Sequence, residues 1–275
     1  MSGGSGAPVS FSEAGKRTRM GRIFGADGRC VVLPLDHGTV LGRPAGLEDP
    51  LAVLDAFLDS RCDGFLLGPG LMRRSADRFA RRDAPARLFT LDQHFHDGTS
   101  VGHRPAGSVE LAAALGADAV KLLMPWDLGA GERSRSAALA AGVIAAAEPV
   151  GMPVMLEPVA VATEPGPGAV AVVGDGCRAA VELGADIVKL AHPGDADLLA
   201  AWASESGVPL VLLGGPAVGS AEELVATVEE AVAAGASGIV IGRRVWQRPL
   251  EEARALLERL AAVVHDRPQA GSSTS

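Results

Sequence analysis

Tyrosine is absent from this chain of 275 residues, which excludes any mechanism that needs a tyrosine hydroxyl as acid. Lysine is almost as scarce. Lys16, Lys121 and Lys189 are the only lysines, and arginine supplies the rest of the 25 basic side chains. A guanidinium keeps its proton at any working pH whereas an ammonium can lose it, so each lysine kept in this background invites a separate question. Cys30, Cys62 and Cys177 are odd in number and far apart. They offer neither a disulfide framework nor a CxxC metal site, which fits a reducing, cytoplasmic setting. Excess basic charge is lacking too: 33 acidic residues outnumber the basic ones and give a net charge of −8. That balance carries no footprint for nucleic acid or an anionic membrane surface. No apolar run approaches the roughly 18–20 residues of a membrane span. The first ten residues have neither the basic nor the apolar region of a secretory signal.

Hydrophobic residues make up 48% of the chain and charged residues 21%, a globular composition with enough apolar material for a large core. Residues 1–9 and 268–275 are rich in Gly, Ser, Ala and Pro and read as loose ends. A helix is expected over Ser10–Phe24. From there short apolar runs alternate with longer Ala/Leu-rich amphipathic ones. The strands expected are Val31–Asp36, Gly64–Leu67, Arg87–Asp92, Ala119–Leu123, Pro153–Glu157, Ile187–Leu190, Leu210–Leu213 and Ile239–Ile241. Helices are expected over Asp49–Ser60, Leu71–Arg78, Ser108–Leu115, Arg133–Ala147, Val170–Leu183, Asp195–Ser206, Ser220–Ala234 and Pro249–Val263. Three helix-to-strand joints repeat one phrase: Leu115-Gly116-Ala117-Asp118, Leu183-Gly184-Ala185-Asp186 and Ala234-Gly235-Ala236-Ser237. Glycine there supplies the left-handed residue that ends a helix. Eight strand–helix units predict an α/β fold, a single (β/α)8 TIM barrel over 10–267 with an N-terminal helix; a doubly wound sheet is the alternative.

Catalytic groups of such barrels sit at the C-terminal ends of the strands. Lys189 ends strand six inside an apolar run and shares the parity of Ile187. Facing the barrel interior, it becomes a poorly solvated amine able to attack a carbonyl; facing outward, it snorkels past a helix. Lys121 ends strand four in the same manner, where it depresses the pKa of Lys189, holds a substrate oxyanion or phosphate, or serves a structural ion pair. Glu157 ends strand five between them and is a candidate for proton transfer, or a counter-ion to Lys121. Asp36 ends strand one, placed to bind a hydroxyl or relay a proton. His37 beside it reads equally as a substrate contact or a structural histidine. Gly214, Gly215, Gly242 and Arg243 follow strands seven and eight, where many barrels hold phosphate on free backbone N–H groups. His94-x-His96 has the spacing of a metal pair, but His103 and His192 stand isolated elsewhere, so no metal and no cofactor is expected and the segment reads as a surface or substrate loop. Arg73, Arg74, Arg78, Arg81 and Arg82 form a basic face suited to solvent or a neighbouring subunit.

In combination these residues describe carbonyl chemistry on a sugar phosphate. The phrases PLDHG (34–38), VKLLMPWD (120–127), VMLEP (154–158), DIVKL (186–190), LGGP (213–216) and IGRRVWQRP (241–249) resemble the class I aldolases of the DhnA/DeoC/LacD group. The resemblance covers about residues 15–265. It implies a Schiff base on Lys189, with the archaeal-type fructose-bisphosphate aldolases similar at strands one, seven and eight. Those enzymes use a tyrosine at the end of strand five. Here LEP stands there, as in tagatose-bisphosphate aldolase, so the resemblance assigns the acid–base role to Glu157, with Lys121 assisting. The activity expected is metal-independent cleavage or formation of a C–C bond in a phosphorylated ketose, with dihydroxyacetone phosphate as the donor fragment. A synthase that joins such a unit to aspartate semialdehyde is the alternative, and a sugar-phosphate-binding regulatory barrel is the non-enzymatic one. The group also tends to form homo-oligomers.

Overall fold

The computed structural model describes residues 10–96 and 101–266. The terminal stretches 1–9 and 268–275, expected to be loose, lie outside the described residues. The helices are α1 (Phe11–Ile23), α2 (Gly38–Leu41), α3 (Pro50–Phe57), α4 (Pro69–Arg74), α5 (Val109–Ala114), α6 (Ala130–Ala147), α7 (Pro167–Leu183), α8 (Ala196–Ser206), α9 (Ala221–Ala233), α10 (Arg243–Trp246) and α11 (Leu250–His265). The strands are β1 (Cys30–Pro34), β2 (Gly64–Leu67), β3 (Ala86–Thr90), β4 (Asp92–His96), β5 (Val101–Pro105), β6 (Ala119–Pro125), β7 (Val154–Val159), β8 (Ile187–Leu190), β9 (Leu210–Leu213) and β10 (Gly238–Val240). Eight of them close into a barrel in the order β1-β10-β9-β8-β7-β6-β3-β2, every neighbour parallel. This is the (β/α)8 architecture.

Strand parity divides the core in two. Val32, Leu66, Leu88, Ala119, Met155, Ile187, Val211 and Val240 fill the interior, while the alternate residues pack outward against the helices. Small residues permit this closure. A Cβ on Gly238, whose φ is +142°, would lie 2.0 Å from the Cys30 carbonyl oxygen, so only glycine lets β10 meet β1.

The repeated Gly-Ala-Asp joints acquire a physical role. Gly116 and Gly184 adopt φ of +74° and +100° and end their helices. Asp118 and Asp186 then accept hydrogen bonds from Arg87 N and Val154 N at the start of the preceding strands, both at 2.9 Å. Asp63 does the same for Val31 N at 2.6 Å. Each of these carboxylates also holds a cation from an element crossing the bottom of the barrel. Lys16 of α1 lies 3.0 Å from Asp186 and 2.9 Å from Glu148. Arg22 of α1 lies 2.7 Å from Asp118. His265 of α11 lies 3.0 Å from Asp63 and 2.8 Å from Asp27. The third lysine is therefore a clamp that fastens α1 across the barrel floor.

Two expectations need correction. The helix expected over Leu71–Arg78 divides into α4 and a 3-10 turn, Ala76–Phe79. Ser75, fully buried between them, turns its hydroxyl back to Met72 O at 3.3 Å instead of continuing the helix. The segment after strand three, expected as a loop, is the antiparallel hairpin β4–β5, with His94 opposite His103.

The two carboxylates beside His265 raise its pKa above 6.5, although burial opposes them. Its stabilising contribution is therefore complete below pH 6.5 and is lost as pH rises through the raised folded value. His265→Gln should cost about 1–3 kcal/mol at pH 6 and flatten the stability profile as pH rises from there through the raised folded value. Urea denaturation across that range measures both, and an unchanged slope would contradict the assignment.

Candidate active site

Two residues beyond the interior apolar layer, the same parity carries polar groups. Thr90 follows Leu88, Lys121 follows Ala119, Glu157 follows Met155 and Lys189 follows Ile187. The barrel thus turns four apolar-looking strands into a ring of functional side chains at its C-terminal mouth. Thr90, Lys121, Glu157 and Lys189 are all buried. Lys189, exposed to only 7%, faces the interior and does not snorkel outward.

Glu157 spans the two lysines. Its Oε2 is 2.8 Å from Lys121 Nζ and its Oε1 is 3.0 Å from Lys189 Nζ. Burial by itself would raise the Glu157 carboxyl, but the two ammoniums hold it down at about 2. Burial likewise works against Lys121, yet Glu157, Asp92 and Asp36 raise its pKa above the usual lysine value. Lys121 is thereby a fixed cation. Asp36 accepts a hydrogen bond from the Thr90 hydroxyl at 2.6 Å. His37 Nδ1 lies 3.5 Å from Asp36 Oδ1 and is buried without a hydrogen-bond partner. Burial lowers the His37 pKa, Asp36 opposes this, and Lys189 and Arg243 add to it. The ring meets Trp246 edge-on with centroids 5.4 Å apart, and the indole N–H donates to Pro34 O at 3.1 Å. That contact ties α10 to the end of β1.

One cavity of about 600 Å³ unites these groups. Every residue singled out from the sequence lines it: Lys189, Glu157, Lys121, Asp36 and His37 together with Gly214, Gly215, Gly242 and Arg243. The glycines have distinct reasons. Gly215 has φ of +65°. A Cβ on Gly242 would lie 2.8 Å from both Pro34 and Trp246 side-chain atoms. Arg243 Nε is buried without a hydrogen-bond partner.

Asp92 escaped the sequence reading. It is 3% exposed and lines the same cavity. Its Oδ2 accepts from Leu123 N at 2.9 Å and pairs with His103 Nε2 at 2.6 Å, and its Oδ1 is 3.8 Å from Lys121 Nζ. Burial would raise the Asp92 pKa, but Lys121, His103 and the Leu123 N–H lower it, so the carboxylate is ionised. A signal was present: Thr90-Leu91-Asp92 ends strand three as Pro34-Leu35-Asp36 ends strand one. His103, read as isolated, is correspondingly not so. His94 lines the cavity with its pKa lowered by burial and by Lys121, while the side chain of His96 lies outside the described residues. Among the described residues no group of three or more His, Cys, Asp or Glu is arranged to hold a metal ion.

Chemically, the cavity offers a lysine in contact with a carboxylate, a second, permanent cation and an anion-compatible rim. A family model described as DeoC/LacD family aldolase matches residues 30–248. The 2-amino-3,7-dideoxy-D-threo-hept-6-ulosonate synthase of Halobacterium salinarum is 31% identical over 265 residues, covering 93% of this chain and 94% of its own. The 2-amino-4,5-dihydroxy-6-oxo-7-(phosphonooxy)heptanoate synthase of Streptomyces griseus is 30% identical, covering 89% of this chain and 88% of its own. Among solved structures, an archaeal fructose-1,6-bisphosphate aldolase with its catalytic Lys covalently bound to the carbinolamine intermediate superposes with a TM-score of 0.77 at 26% identity. That match covers 90% of this chain and 98% of the other.

Glu157 titrates at about 2 in the fold against 4.5 ordinarily. Its contribution to stability is therefore present above pH 4.5 and lost as pH falls through 2. Glu157→Gln leaves two buried ammoniums without their counter-ion and should cost about 3–5 kcal/mol at neutral pH. Adding Lys121→Met should cost less than the sum of the single losses. Additive losses in urea denaturation would contradict a shared counter-ion.

Proposed function

The chain belongs to the DeoC/LacD family of aldolases, and from that premise and its cavity we propose that it is a Schiff-base synthase joining dihydroxyacetone phosphate to aspartate semialdehyde. The observation that carries the chemistry is Glu157 placed 3.0 Å from Lys189 and 2.8 Å from Lys121. In this mechanism the Lys189 ammonium gives a proton to Glu157 and the resulting amine attacks the donor ketone. Lys121 stabilises the developing alkoxide. As Lys189 loses its charge, Glu157 faces one cation instead of two, and its proton affinity rises. The alkoxide takes a proton from the attacking nitrogen to give the carbinolamine, and the Glu157 carboxyl then returns its own proton to that hydroxyl, which leaves as water and yields the iminium. Glu157, a carboxylate again, takes a proton from the adjacent carbon to give the enamine, and returns it to the alkoxide formed when the enamine attacks the acceptor aldehyde. Water finally hydrolyses the product iminium and frees Lys189. Asp36, oriented by Thr90, is placed for a donor hydroxyl. The Gly214–Gly215 and Gly242–Arg243 rim suits the phosphate, with Arg243 as its cation.

The names of both curated relatives favour synthesis over cleavage. Read as a retro-aldol, the Streptomyces product name separates between C4 and C5 into dihydroxyacetone phosphate and a four-carbon amino-acid aldehyde. A second reading, reversible cleavage of a phosphorylated ketose, is favoured by the likeness to archaeal fructose-bisphosphate aldolase. The intact Lys121, Glu157 and Lys189 set speaks against a purely regulatory barrel.

Borohydride added with dihydroxyacetone phosphate should leave a mass adduct on Lys189, absent in Lys189→Met. Glu157→Gln should lower kcat by about 10²–10⁴, and EDTA should leave the rate unchanged. With the donor present, aspartate semialdehyde should be consumed faster than glyceraldehyde 3-phosphate. Absence of the adduct together with loss of activity in EDTA would overturn the imine; the opposite acceptor preference would favour the second reading.

A further inference from the structure

The mechanism leaves one buried charged atom unused. Asp92 lines the catalytic cavity, and its buried Oδ1 has no hydrogen-bond partner among the described residues. The other oxygen is fully engaged, since Leu123 N–H and His103 both bind Oδ2, at 2.9 and 2.6 Å. The carboxylate is thus fixed in orientation at the cavity wall, with one buried oxygen left without a hydrogen bond. Lys121 Nζ stands 3.8 Å from that oxygen, beyond hydrogen-bond reach, because its close partner is Glu157. Buried polar atoms are ordinarily satisfied, and a buried carboxylate oxygen left open is costly unless something completes it. A water or a main-chain shift could do so at a flexible site. Here Leu123 of β6 and His103 of β5 both grip the carboxylate, which favours a ligand donor.

We propose that Asp92 is the specificity-determining residue for the acceptor, with Oδ1 receiving the protonated amine of an amino-aldehyde. His103, from the facing strand of the hairpin, acts as the positioning residue that fixes this carboxylate. The assignment rests on the synthase reading given above and names the recognition it requires. The location is consistent with it. The phosphate rim follows β9 and β10, whereas Asp92 opens β4 two residues beyond the end of β3, on the side of Lys121, so a substrate condensing on Lys189 has its two ends on different walls. A charged donor matches a buried ionised oxygen better than a neutral one does. A site built to hydrogen-bond such a group rejects analogues that lack it, because its own polar atom is then left open.

The test compares three acceptors of equal length with dihydroxyacetone phosphate as donor: aspartate semialdehyde, its des-amino analogue 4-oxobutanoate, and the 2-hydroxy analogue. The wild-type protein should prefer the amino-aldehyde in kcat/KM by about 10- to 100-fold over either analogue. In Asp92→Asn that ratio should collapse toward one, through KM more than kcat. His103→Asn should lower the ratio partially, and His103→Gln should restore part of it. Equal use of an analogue by the wild type overturns the proposal without any variant, and so does an undiminished preference in a folded Asp92→Asn. Borohydride trapping of the donor on Lys189 is read in parallel. No adduct in the wild type is a failure of the synthase reading itself, whereas an adduct without amine preference is a failure of Asp92 alone.

Discussion

Two ammoniums share one carboxylate at the top of a closed barrel, and the site is organised around that shortage of negative charge. Glu157 can satisfy Lys121 or Lys189 fully, but not both in isolation from their surroundings. Asp92 and Asp36 supply the remainder on the Lys121 side. The asymmetry separates two chemically identical residues into different roles. Lys121 is enclosed by acids and remains charged. Lys189 has Glu157 as its one ion-pair partner among the described residues, and in the proposed mechanism a single proton transfer frees it as the nucleophile. Loss of that proton relieves Glu157 in turn, which couples base strength to the progress of the reaction.

The barrel keeps this arrangement apart from the one that holds it together. At the bottom, Asp63, Asp118 and Asp186 each fix the start of a neighbouring strand and each take a cation from α1 or α11. These ion pairs are partly solvated. At the top, charges are buried, few and specific. The polarity follows from strand direction: joints that begin strands stabilise, and ends of strands face the cavity. The hairpin β4–β5 is the element that departs from the repeat, and it brings His94 and His103 to the mouth.

Much of the architecture was legible in the sequence because the relevant signals are local. Alternation of apolar runs, Gly-Ala-Asp joints and glycine after strands seven and eight depend only on neighbours along the chain. Parity put Lys189 on the face of Ile187 for the same reason, and closure of the barrel made that face the interior. Ser75 interrupted a helix through a side-chain hydrogen bond that periodicity does not record. The hairpin was missed because polar alternation in Asp92-Gln93-His94 reads equally as loop, and its strand partner lies nine residues away or more.

The sequence by itself determined the inventory: no tyrosine, three lysines, and a glutamate at the end of an apolar strand. It also determined the order in which those groups meet the barrel mouth, because strand parity is a property of the chain. Tertiary structure alone decided which charges compensate which. That Glu157 serves both lysines, that Lys16 clamps the floor, and that Asp92 keeps one oxygen open all depend on distances between segments 30 to 170 residues apart. Coulomb interactions in a poorly solvated interior change steeply over such short gaps, and only the closed barrel sets them.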